Sequence, residues 1–284
     1  MISSINRRLN HFLLIVMVVV LNDHCSALGV AKNSTHPTFI AQNLDIEGFR
    51  HGYQTLLHIA EDGDTPEQYI FTIAGVLAAN GMNNRSIGVC VNTLMQLSAC
   101  SDGLPVDFVV RGILSARTEK EALNFVKTVK HASGQNYLIG SGERIINFEA
   151  SAKKVVEFRI QGRDRLVYHT NHPLANDDWK PWHKRWMERI PQGQLKLGDS
   201  YVRFASLESR LHDSVKVVDE DFIQNILRSK DSGRSPVCRP HRPGVSVFTF
   251  GSFIMNLSDK PSLLISVGPP DKNDYLRFEF DKRK

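Results

Sequence analysis

Cysteine is scarce in this chain of 284 residues, which has only Cys25, Cys90, Cys100 and Cys238. No two of them form a C-x-x-C pair, so the spacing spells neither a disulfide framework nor a paired-thiol metal site. Cys90 and Cys100 have apolar neighbours in sequence and read as buried thiols. Other chemistries are missing as well. There is no H-E-x-x-H, and His169 and His172 in "YHTNHP" read as structural side chains rather than ligands. "EDGD", 61–64, lacks the rest of a calcium loop and reads as a turn. "GSGER", 140–144, is followed by no helical pattern, so it reads as a hairpin turn rather than a phosphate cradle. We expect no metal and no cofactor. Charge of one sign is only slightly in excess, with 35 basic against 30 acidic residues. That excess is scattered apart from Lys282-Arg283-Lys284, so nucleic acid is not an expected partner.

Long hydrophobic runs are absent too. The apolar stretch 12–21 follows Arg7-Arg8 and is shorter than the roughly 20 residues of a membrane span. Its length suits a signal peptide, and it reads equally as a core strand or helix. Residues 1–24 are therefore expected to be a leader, either signal-like or a truncated pro-segment. A real leader implies a secreted or periplasmic protein; otherwise the chain is cytoplasmic.

What is present is an ordinary globular mix, 42% hydrophobic and 23% charged, which argues against wholesale disorder. No internal repeat or low-complexity tract divides it. Short β-branched and aromatic runs predict strands at 27–31, 38–41, 69–73, 87–92, 137–140, 145–149, 155–159 and 166–170. Three more are predicted at 245–256, 263–267 and 275–280. Helices fall in two groups. The first opens at Pro105 and continues beyond Thr118, where Thr118 and Glu121 have the spacing of a capping box. The second covers 179–190, 200–212 and 219–228. Trp179, Trp182 and Trp186 alternate with Lys180, Lys184 and Arg185, which could suggest stacked bases. Their spacing of three and four instead predicts one helical face packed into the core. Strands and helices in this alternation suit two mostly antiparallel sheets with helices outside, a four-layer αββα sandwich.

Cys25 stands just before the first predicted strand, and "KNSTHP" turns that strand into "TFIAQNLD". A hairpin therefore carries Cys25 at one strand end with Asn43 and Asp45 near its partner. Taken alone, such a cysteine reads as inert more readily than as nucleophilic.

Five segments in order change that reading: "CSALGV…TFIAQNLD", "GMNNRSIGVCVNTL", "GLPVDFVVRGILSA", "NYLIG…INFEA" and "VYHTNHPL". Together they resemble the acyl-coenzyme A:6-aminopenicillanic-acid acyltransferase family of N-terminal-nucleophile hydrolases. The resemblance implies an αββα domain over 25–284, exposed by cleavage just before Cys25. That cysteine then becomes both N-terminus and nucleophile. The family's aspartate in "Q-N-W-D" falls on Asp45, with Leu44 in place of the tryptophan, and its asparagine in "H-T-N-H" falls on Asn171. A family arginine ahead of the strand "VFTFGSFIMN" falls on Ser246, with Arg239 and Arg242 nearby, which leaves that role unassigned.

The residue types suit acyl transfer. An N-terminal cysteine carries its own base, an α-amine with an unperturbed pKa of about 7.7–8.0. Its thiolate attacks an amide or thioester carbonyl, and Asn171 is expected to donate to the developing oxyanion. Asp45 is expected to orient the α-amine or its neighbours. The implied partner is a small-molecule acylated amine or acyl thioester. The alternative is a non-catalytic binding protein that keeps the sandwich.

Overall fold

The computed structural model describes residues 24–190, 194, 198–211 and 218–280. The leader assigned to 1–24 therefore lies outside the described residues except for His24, as do His212 and the basic triplet 282–284. Two antiparallel sheets organise the chain. The first has six strands in the order β10-β1-β2-β11-β12-β13, namely Leu166–His169, Ser26–Val30, Phe39–Glu47, Val247–Asn256, Ser262–Ser266 and Tyr275–Glu279. The second runs from β3 to β9 in sequence order: Gln54–Ile59, Gln68–Ile73, Asn80–Asn83, Gly88–Thr93, Gln135–Gly140, Ile145–Ala150 and Val155–Phe158.

Three apolar layers hold the sandwich. Between the sheets, Ala27, Ile40 and Phe253 of one meet Phe71, Met82, Cys90 and Leu138 of the other. Outside the seven-stranded sheet, Val89, Ile139 and Phe148 pack on helices α1, Val106–Leu114, and α2, Glu119–Thr128. On the far side, Leu28, Tyr168 and Ile254 pack on α4, Asp199–Arg210, and α5, Glu220–Leu227. Central strands are covered on both faces, which is why their sequences read as apolar runs rather than alternations. The expected αββα architecture is present.

One irregularity matters for the site. The pairing of β11 with β2 slips between Thr249 and Gly251. A bulge switches which side chains face inward. Phe248 before it, Phe250 within it, and Phe253 and Met255 after it can therefore all enter the inter-sheet layer. A Cβ on Gly251 would sit 2.3 Å from the Phe71 ring, so the bulge needs glycine there.

Local predictions held unevenly. "EDGD" and "GSGER" are turns, the latter joining β7 to β8. Thr118 caps α2 by accepting from the Glu121 N–H at 3.2 Å, but Glu121 reaches back to the Arg117 N–H instead of completing the box. The tryptophan expectation is overturned. Helix α3 spans only Pro181–Met187, so Trp179 precedes it and pairs with Leu97 in a β-bridge. Trp182 and Trp186 are 47% and 42% exposed, whereas His183 between them is buried. Cys100 is half-buried, unlike Cys90.

Candidate active site

Strand register gathers the predicted residues. Ala27 pairs with His169 on one side and Gln42 on the other. Carrying both antiparallel ladders past the end of β1 sets Cys25 between Asn171 and Leu44, with His24 beside Asp45. The contacts agree: the Cys25 N–H donates to Asn171 Oδ1 at 2.7 Å, and the His24 N–H donates to the Asp45 carbonyl at 3.0 Å. Cys25 is buried at the margin of the inter-sheet layer.

Asn171 is held from two sides. Ser200, in the first turn of α4, accepts from the Asn171 N–H at 2.7 Å, and its own carbonyl accepts from Thr170 Oγ1. Glu149 on β8 anchors the rest of the loop. Its carboxylate accepts from the N–H groups of Leu174, Ala175 and Asn176 and pairs with His169 Nε2 at 2.8 Å. Burial pulls Glu149 upward, but the His169 bond and the backbone donors outweigh it and hold the carboxyl below its usual range. His172 stacks on Tyr201 with centroids 3.8 Å apart. Burial, with His169 and Arg203 nearby, pushes His172 down to about 3, so it is neutral at ordinary pH. Both histidines of "HTNH" are thus built into the scaffold.

The contacts of Asn171 differ from the expected ones. Its Oδ1 accepts from Cys25 and from Arg203 Nη2 at 3.0 Å, while its Nδ2 donates to the Thr93 carbonyl at 3.2 Å. Donation to an oxyanion requires Nδ2 to exchange that partner. Asp45 is likewise tied elsewhere, accepting from Thr249 Oγ1 at 2.7 Å and from Arg239 Nε at 3.1 Å. Burial pushes its carboxyl up from 3.8 to about 6, against the pull of Arg239, Arg203 and the Thr249 bond.

Three further charged residues complete the cluster. Arg203 on α4 donates to the Cys25 carbonyl at 2.5 Å and to Ser26 Oγ at 3.0 Å. Asp199, one turn earlier, accepts from Arg203 Nε at 3.0 Å, pairs with Arg239 and lies 3.3 Å from His24 Nδ1. Burial raises Asp199, but His24 and the two guanidiniums outweigh it and hold the carboxyl well below its usual range. Of the two arginines near Ser246 in sequence, Arg239 reaches Asp45, while the Ser246 carbonyl accepts from the Gly48 N–H. Sequence reasoning missed Arg203 and Asp199. A signal existed, because Arg203 shares with Leu207 the buried stripe of an otherwise amphipathic helix.

Among the described residues no cluster of three or more His, Cys, Asp or Glu side chains could hold a metal ion. The arrangement instead offers a thiol at a strand end, a carboxamide on its backbone nitrogen and two guanidiniums balanced by two carboxylates.

The sequence and the fold both have known counterparts. The sequence model of the acyl-coenzyme A:6-aminopenicillanic acid acyl-transferase family matches residues 31–244. Asp45, Asn171, Arg203 and Arg239 fall inside that match and Cys25 just ahead of it. No curated protein sequence matches the chain. Three solved structures share the fold at low identity. An N-acylethanolamine-hydrolyzing acid amidase ortholog from Caenorhabditis elegans superposes with a TM-score of 0.51 at 15% identity, over 82% of this chain and 93% of its own. A mutant form of conjugated bile acid hydrolase from Clostridium perfringens gives 0.54 at 14%, covering 90% and 97%. Penicillin V acylase from Agrobacterium tumefaciens gives 0.53 at 12%, covering 91% and 86%.

Proposed function

The chain belongs to the acyl-coenzyme A:6-aminopenicillanic acid acyl-transferase family, and from that premise we propose that it is a cysteine-nucleophile amide hydrolase or acyltransferase whose nucleophile is Cys25. The observation that carries the reading is the 2.7 Å bond from the Cys25 backbone nitrogen to Asn171 Oδ1. That bond supports the reading because the nitrogen proposed as the catalytic base then faces a fixed acceptor, within one cluster of ionic side chains.

Maturation is a self-acylation. The Cys25 thiol attacks the His24 carbonyl carbon, an S–C bond forms as the C–N bond breaks, and the thiol proton passes to the freed nitrogen. Water then hydrolyses the thioester, its hydroxyl going to the acyl carbon and its proton to sulfur. The scissile bond is held for this step: the His24 N–H is bonded to the Asp45 carbonyl, and the Cys25 carbonyl to Arg203. Turnover repeats the chemistry on a separate substrate. The α-amine takes the thiol proton, sulfur attacks the acyl carbon of a linear amide, and the amine leaves with that proton. Water or an acceptor amine resolves the thioester. Asn171 orients the α-amine through Oδ1, and exchange of its Nδ2 partner supplies the oxyanion donor. Asp45 acts at one remove, fixing Arg239.

N-terminal sequencing of purified protein tests the proposal. A mature, active chain that begins anywhere but at Cys25 excludes the mechanism, as does full activity in Cys25→Ser. A folded protein whose Cys25 stays inert toward a thiol-reactive acyl probe supports the binding-protein alternative.

A further inference from the structure

Cys25 and Asn171 share a neighbour that the chemistry above has not used as more than a clamp. Arg203 heads the fully buried side chains by size and has no exposed surface. Burying a guanidinium is costly unless its donors are matched, and an aliphatic residue like Leu207 would fill the same stripe without that cost. The donors are matched, and by the site itself. Nη1 donates to the Cys25 carbonyl and Ser26 Oγ, Nη2 to Asn171 Oδ1 and Nε to Asp199. Because Arg203 can only donate, the atom facing it must be the oxygen of the Asn171 amide.

We propose that Arg203 is the positioning residue of this site: it fixes the Asn171 amide and supplies positive charge that lowers the proton affinity of both the freed α-amine and the thiol of Cys25, so that the amine is free to take the thiol proton during attack. The inference rests on Cys25 becoming the N-terminus. The charges facing that N-terminus come from every packed element. They are Asp45 on β2, Asp199 and Arg203 on α4, and Arg239 ahead of β11, together with His24 until it is cleaved away. His172, in the loop after β10, is neutral. Two cations thus balance two carboxylates. Removing Arg203 leaves one cation against two anions, which favours the ammonium and disfavours the thiolate.

The test is the rate of iodoacetamide alkylation of mature protein against pH, read at Cys25 by peptide mapping. Arg203→Gln is expected to raise the midpoint by about one pH unit, the low end for loss of one nearby charge. Arg203→Lys keeps the charge without the planar fork and is expected to return the midpoint towards the wild-type value. Asp199→Asn removes an anion and should move the midpoint down. An unmoved midpoint in folded Arg203→Gln overturns the proposal. Should that variant fail to fold, Asp199→Asn decides, and an unmoved or raised midpoint there overturns it equally. The same peptide map reports the N-terminus. A wild-type chain not beginning at Cys25 sinks the nucleophile reading, whereas a correct N-terminus with unmoved midpoints sinks only the role of Arg203.

Discussion

Cys25 and Cys90 line the same inter-sheet layer, and neither has appreciable exposure. Around Cys90 the neighbours are apolar, and burial alone pushes its thiol well above the ordinary range. Cys25 lies where that layer runs out at the end of β1, against Asn171 and Arg203 and within reach of the carboxylate cluster. Under the proposed function equal burial is therefore expected to give opposite chemistry, because a thiolate needs a compensating charge and Cys25 has guanidiniums nearby where Cys90 has apolar neighbours. The sharpest break of the comparison is a pair of alanine variants. Cys25→Ala is expected to abolish both maturation and turnover, a loss of about four orders of magnitude or more. Cys90→Ala should mature normally and lose only about 1 kcal/mol of stability to a small cavity. Intact mass and a denaturant melt check both.

The second largest effect should come from the scaffold behind Asn171. Glu149 is fully buried, and its four accepted bonds fasten the loop that carries the carboxamide. Glu149→Gln puts an amide N–H against backbone N–H groups and leaves His169 without its anion. We expect about 3 kcal/mol of destabilisation, measured by denaturant titration, with mature Cys25 retained. The sign also follows for wild type. The folded-state carboxyl lies below its unfolded value, so this stability is present above the unfolded pKa and is lost as pH falls through the folded one.

Why these partners escaped the sequence is a matter of distance along the chain. Strands announced themselves where both faces are covered, as in "VFTFGSFIM", because double burial demands an apolar run. The strand "NGMN", β5, and the edge strand "QTLLHI", β3, went unseen. The first is polar and glycine-bearing, and the second is only half-buried. Cys25, Asp45 and Asn171 were legible through ordered motifs, and strand register brings their backbones together. Arg203 and Asp199 enter from a helix that packs across the strand end. No local pattern in "DSYVRF" says which strand terminus its arginine will meet.

Asp45 offers a smaller, opposite contrast with Glu149. Its carboxyl is raised from 3.8 to about 6, chiefly by burial. The native state therefore binds the extra proton between those values. The stabilising contribution is full below the unfolded pKa and is lost as pH rises through about 6. A shift of about two units corresponds to roughly 3 kcal/mol, reduced in practice by relaxation around Arg239. Asp45→Asn should flatten the fall in stability between pH 4 and pH 7 by about 2 kcal/mol, read from denaturant midpoints across that range. An unchanged slope would show that Arg239 and Thr249 solvate the carboxylate as well as water does.

The smallest effect belongs to the surface that the sequence assigned to the core. Trp182 stands on a helix of under two full turns with half of its ring in solvent, and it meets His183 edge-on at 5.3 Å between centroids. A half-exposed indole has less burial to lose than a ring wholly inside the core. Trp182→Ala should therefore cost only about 1 kcal/mol. Replacing Phe253, which is wholly within the inter-sheet layer, by alanine should cost about 3–5 kcal/mol. Paired thermal melts of the two variants measure the ratio directly. Comparable losses at both positions would mean that Trp182 is covered in solution, and only then would the three-and-four spacing of the tryptophans mark a packed face.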